Sequence, residues 1–196
     1  PSLLLSYDCE TSEILGIPGP RDWRKKTLVQ IQFAVAAGQA IVLGAQHFPA
    51  ARRIMALGHT KVSWNGPHSD DLLLRANGFV IGGTTYDAMV MFAHLQPGFT
   101  SGKEDEDDKG APSRLLNLQS AISFYYPHEP LYKSTMRQAI GETVEVTEEL
   151  WHEVREGGAK DCDYTLRLAQ HYIRSLHKLD LWPGFIRKYK LGIALD

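Results

Sequence analysis

The sequence predicts an α/β fold: one mixed sheet with helices on its faces. Two observations carry that reading. Three extended stretches follow one another at short spacing within the first 44 residues, the pattern of an antiparallel meander. Beyond them, short helical patterns alternate with short strand patterns, as in a layered α/β domain. No repeat and no second unit interrupts the order, so residues 1–196 are read as a single domain.

The elements can be justified in order. Leu3-Leu4-Leu5-Ser6-Tyr7-Asp8-Cys9-Glu10-Thr11 begins as an apolar run suited to a central strand. Ile14 to Lys26 carries Gly16-Ile17-Pro18-Gly19-Pro20 and then basic residues, which predicts a loop. Thr27 to Val35 alternates through its middle as a strand does, Ala36 to Gln39 turns, and Ala40 to Gly44 makes the third strand. Pro49 to Leu57 reads as a helix with proline in its first turn and Gly58 as a left-handed C-cap. Lys61 to Trp64 is a short strand, Asp70 to Asn77 a helix ended by Gly78, and Thr84 to Leu95 a strand running into a helix. The run from Gly102 to Gly110 has no apolar residue and predicts a solvated loop. Ser113 then caps an apolar stretch from Leu115 to Phe124, and Tyr125, Tyr126, Tyr132 and Lys133 belong to an aromatic loop. Thr147-Glu148-Glu149 starts a helix that meets Gly157-Gly158, a second helix spans Ala159 to Leu179, and Pro183 opens a last short one.

Composition narrows the function classes. Hydrophobic residues make up 43% and charged residues 22%, as in ordinary soluble domains. No apolar run approaches a membrane span and no signal-peptide pattern is present, and with only two cysteines an intracellular setting without a membrane partner is expected, cytoplasmic in a bacterial or phage setting. Two cysteines, Cys9 and Cys162, are too few for a disulfide scaffold and read as small packing residues. The eight histidines show no H-x-x-x-H spacing, which argues against a zinc hydrolase. The net charge of −2 gives no global sign of nucleic acid, although a cluster of acids masks local basic patches in such a sum.

The candidate chemistry lies in carboxylates. In an extended strand Asp8 and Glu10 share a face and Cys9 takes the other. Paired carboxylates raise each other's pKa unless a cation lies between them, and hard divalent ions with oxygen ligands are the usual solution. The alternative is a strand that simply leaves the core at Asp8. Asp70, in Asn65-Gly66-Pro67-His68-Ser69-Asp70, equally suits the favourable first turn of a helix. Asp161, in Lys160-Asp161-Cys162-Asp163-Tyr164-Thr165, has an exposed acid as its plain alternative.

In order, these segments read D-x-E, N-G-x-x-x-D-x-x-x-L-x-x-x-G and D-x-x-x-T-x-x-L. The sequence thereby resembles the DEDD 3′–5′ exonucleases over almost its whole length, and includes Tyr86-Asp87-Ala88-Met89, similar to an aspartate-containing segment of that family. Its closest flavour is the proofreading domain of phage and bacterial family A DNA polymerases. The resemblance implies a ribonuclease-H-like fold and four catalytic, metal-holding carboxylates: Asp8, Glu10, Asp70 and Asp161. It implies two Mg²⁺ or Mn²⁺ ions roughly 4 Å apart, one helping to generate the attacking hydroxide and one stabilising the leaving 3′ oxygen. The expected partner is a single-stranded 3′ end, DNA ahead of RNA, although nothing legible reads a 2′-OH. Asn65 and Lys133 are candidate substrate contacts. Starting at Pro1 rather than Met, the chain reads as a domain excised from a larger protein, with a polymerase module as one candidate companion.

One departure stands out. The family places Tyr four residues before the last aspartate, or His five before it, and here those positions are Gly157 and Glu156. Tyr164 is one substitute, and His152 another if the glycine pair breaks the helix. A second function therefore stands beside the first: an exonuclease fold with weakened catalysis, acting as a nucleic-acid-binding or scaffold module.

Overall fold

The computed structural model describes residues 3–15, 19–99, 116–130 and 147–190. Within them a five-stranded sheet runs in the order β3-β2-β1-β4-β5, with β1 Leu4–Thr11, β2 Leu28–Ala36, β3 Gln39–Gly44, β4 Thr60–Ser63 and β5 Thr85–Asp87. The first three strands are antiparallel, while β4 and β5 join parallel to β1, giving the mixed α/β sheet expected of a ribonuclease-H-like domain. The expected loops and caps at Gly102–Gly110 and Ser113, with Tyr132 and Lys133, lie outside the described residues.

Helices α1 (Phe48–Ala56) and α2 (Asp70–Ala76) cover one face of the sheet, where Leu5, Tyr7, Ile31 and Phe33 pack with Met55, Leu73 and Leu74. The other face carries α3 (Ala88–Leu95), α4 (Leu118–Tyr125) and α5 (Glu148–Lys178), with α6 (Trp182–Lys190) closing the end. There Val62, Phe92, Ile122, Leu168, Tyr172 and Phe185 form the larger core.

Local chemistry explains most boundaries. Asp87, Asn117 and Thr147 each accept a backbone N–H in the first turn of the helix they precede, satisfying donors that the helix leaves open. Three sequence expectations need correction. The stretch predicted as a loop after β1 contains two short 3₁₀ turns, Ser12–Leu15 and Trp23–Lys25. Gly58 does not take the left-handed conformation. Leu57 leaves α1 extended, and the Lys61 ammonium donates to the Leu57 carbonyl at 2.5 Å and the Gly82 carbonyl at 2.6 Å, so a side chain caps this end instead. The third correction bears on the site: Gly157-Gly158 does not divide two helices, because α5 is continuous over 31 residues.

Candidate active site

The site begins with strand alternation. Cys9 enters the cluster beneath α1 and α2, whereas Asp8 and Glu10 project to the opposite face, toward α5. Asp161 meets them from α5. Asp8, Glu10 and Asp161 each offer one carboxylate oxygen within 4.8 Å of the other two. Asp161 is buried and the other two are half-buried. Three carboxylates so close repel one another in water-poor surroundings, and an oxygen-seeking divalent cation is the ligand that such a donor set fits.

Asp70 is not one of the three. It is the first residue of α2, buried, and accepts from the Ser69 hydroxyl at 3.1 Å, while the Cys9 backbone N–H favours its charged form. Its carboxyl therefore lies near the Cys9 backbone of β1, between Asp8 and Glu10 along the chain. Pairing of β1 with β4 has ended there, the last pair being Ser6 with Val62. Burial pushes the Asp70 carboxyl up to about 7, and the neighbouring Asp71 adds to the rise against the Ser69 hydroxyl and the backbone N–H groups of Asp70 and Cys9. Asp71 itself accepts the hydroxyl of Tyr7, whose phenol burial holds protonated well above its ordinary range.

The turn that carries Asp70 is fixed from behind. Asn65 stands at φ 60, a left-handed conformation that asparagine tolerates, and its N–H donates to Asp87 Oδ1 at 2.9 Å. Its carbonyl accepts from Ser69 Oγ at 2.8 Å. Asp87 also caps α3 through the Met89 N–H at 2.9 Å, so one carboxylate ties α3 to the Asn65 turn. Burial raises Asp87 to about 6. Lys133 falls outside the described residues.

The substitutes for the absent aromatic or imidazole are engaged elsewhere. With α5 unbroken, His152 stays exposed beside Glu156, 3.9 Å away. The Tyr164 hydroxyl donates to Glu129 at 2.8 Å; burial first, then Glu129, raises its pKa to about 12. Asp163 accepts the Gly38 N–H at 2.7 Å and holds the β2–β3 turn. Both cysteine thiols are buried and pushed up by that burial, as packing groups behind the acids.

Two residues escaped the sequence reading. Gln30 and Gln32 of β2 lie opposite Glu10 and Asp8 in the strand register, on the face covered by α5. Gln30 donates to the Val154 carbonyl at 3.3 Å. Gln32 is fully buried, and among the described residues neither its amide nitrogen nor its oxygen has a hydrogen-bond partner. Each such orphan costs about 1–3 kcal/mol, so its position asks for a reason. The signal was present in Gly157-Gly158: a Cβ at Gly158 would fall 2.3 Å from the Gln32 nitrogen, so only glycine lets α5 approach β2 so closely.

No family model matches the sequence, and no curated protein does. Solved structures do. NrnC of Brucella melitensis with bound Mg²⁺ aligns at a TM-score of 0.62 and 14% identity, over 96% of this chain and 81% of that one. The same protein bound to pGG aligns equally, at 0.62. Escherichia coli RNase D, an exoribonuclease involved in structured RNA processing, aligns at 0.62 and 13% identity, over 97% of this chain and 44% of that one. The chain shares their fold. The family B DNA polymerase of Pyrobaculum calidifontis aligns at 0.55 and 13% identity, over 88% of this chain and 25% of that one. Identities this low speak for the fold and leave the activity to be argued from the site.

Proposed function

We propose that this chain is a metal-dependent exonuclease that removes nucleotides from the 3′ end of a single strand. The observation that carries the reading is the meeting of Asp8, Glu10 and Asp161 within 4.8 Å, in a fold that nucleases use. Asp8, Glu10, Asp70 and Asp161 would hold two Mg²⁺ or Mn²⁺ ions. Bound there, such ions supply charge that offsets what develops on a scissile phosphate and make water a competent nucleophile near neutral pH. The protein's part is to present the four carboxyl groups from β1, α2 and α5, elements locked by packing, so that little rearrangement accompanies the reaction. Asn65, beside Asp70 on a turn held by Asp87, serves in this reading as a substrate contact.

Polarity rests on the resemblance of the three sequence motifs to 3′–5′ exonucleases. The neighbours described do not establish a proofreading role or a preference for DNA: they include NrnC bound to pGG and the exoribonuclease RNase D of E. coli beside a family B DNA polymerase. The proposal therefore takes single-stranded nucleic acid as the substrate class, with RNA and DNA compared side by side.

A second reading, a nucleic-acid-binding module with weakened catalysis, is favoured by one observation. Gly157 brings no side chain to the position four before Asp161, while His152 and Tyr164 are held by Glu156 and Glu129. One assay separates the two. Single-stranded RNA and DNA labelled at the 5′ end are incubated with the protein in Mn²⁺, in Mg²⁺ or in EDTA, alongside Asp8→Ala. The exonuclease reading expects a ladder shortening from the 3′ end, dependent on metal and lost in the variant. Strand binding without any ladder in either metal would sustain the module instead.

A further inference from the structure

Gln32 is the buried polar group that the proposed chemistry leaves unused. Its place is defined from three sides. Across the β1–β2 ladder it stands opposite Asp8, at the spacing where side chains on one face touch. From above it is roofed by Gly158, which precedes Asp161 by three residues on the same helix and so lies on the same flank of α5. At its side, Gln30 makes the ordinary bond for such a position, to the helix carbonyl of Val154. Among the described residues Gln32 makes none, although an amide carries donors and acceptors at once.

We propose that the Gln32 amide is a positioning group for the acid site. When a divalent cation binds, its Nε2 donates to the Asp8 carboxylate and fixes the orientation of that ligand, while Oε1 accepts from water that enters with the ion. The inference rests on the metal-binding reading of Asp8, Glu10 and Asp161. An amide suits the role because it supplies a donor without charge. A lysine ammonium in the same place would neutralise the carboxylate and compete with the cation. The two unmatched atoms are then a feature of the metal-free protein, and ligand-orienting hydrogen bonds behind a metal's own ligands govern its affinity by about 10- to 100-fold.

The test is Mn²⁺ binding by calorimetry, without substrate, for the unaltered protein and Gln32→Met, with melting temperatures in EDTA. Methionine fills the same volume without polar atoms. The expected result is divergence: melting in EDTA equal or higher in the variant, Mn²⁺ affinity lower by about 10-fold or more. A residue of merely structural importance would move the melting temperature and leave the affinity alone. Unchanged or tighter Mn²⁺ binding by Gln32→Met overturns this inference while leaving the metal site standing. Absence of Mn²⁺ binding by the unaltered protein overturns both. Should the variant fail to fold, the unaltered protein decides the matter by NMR. The Gln32 side-chain NH₂ resonances are expected to shift on addition of Mg²⁺, and resonances that stay in place overturn the proposal.

Discussion

At the scale of single residues, the acids divide into those that meet and those that brace. Asp8, Glu10 and Asp161 converge, whereas Asp87 holds backbone. Replacing Asp8 by Asn removes one of three mutually repelling charges. The metal-free variant is therefore expected to melt higher in EDTA, and the rise in melting temperature that Mn²⁺ gives the parent is expected to vanish. Asp87 makes a separate prediction through pH. Burial raises its carboxyl from 3.8 to about 6 against the backbone N–H groups of Asn65, Met89 and Val90 and the nearby His68, so the folded protein binds that proton more tightly than the unfolded chain. The associated stability is complete below about pH 4 and is lost as pH rises through 6. Asn at this position still caps α3 and carries no charge. Relative to Asp87→Asn, the parent is expected to lose about 3 kcal/mol between pH 4 and pH 7, read by urea unfolding of both proteins. Asp8, Glu10, Asp70 and Asp161 could be grouped from the sequence only through the resemblance of their three motifs to the DEDD exonucleases. Gln32 could not, because β2 alternates polar and apolar residues as a half-solvated strand would, and its polar face is sealed only by tertiary packing.

At the scale of elements, strands and helix starts were legible and the course of α5 was not. Apolar runs identified β1 and β3 and alternation β2, and Thr147 with the acids after it marked the start of α5, where the Thr147 hydroxyl accepts the Leu150 N–H at 3.2 Å. Thr147→Ala is expected to cost about 1 kcal/mol in chemical unfolding. The glycine pair suggested a break because each glycine disfavours helix by about 1 kcal/mol. Burial of Gly157 and Gly158 with the adjoining Asp161 and Cys162 outweighs that preference. Gly158→Ala sets the two effects against each other. Its helix gain is about 1 kcal/mol, but the new methyl would fall 2.3 Å from the nitrogen of the fully buried Gln32, whose side chain must then repack. The account expects net destabilisation of about 1–3 kcal/mol, measured by urea unfolding.

At the scale of the whole molecule, the sheet order explains why residues spread over most of the chain share one site. β1 lies at the centre, with β2 on one side and β4 on the other. The end of β1 therefore faces α5 across one sheet face and receives the start of α2 along the edge that β4 has left. That convergence was foreseeable only through the resemblance, since spacing alone left Asp70 as a helix-start residue and Asp161 as a surface acid. The position of Asp70 beside the Cys9 backbone, a step away from the other three acids, was not foreseeable at all. Diffraction from crystals soaked in Mn²⁺, collected at a wavelength where manganese scatters anomalously, tests the central claim directly. The account predicts anomalous density among the carboxylates of Asp8, Glu10 and Asp161, with Asp70 adjoining it. Crystals saturated with Mn²⁺ that show no density there would contradict it.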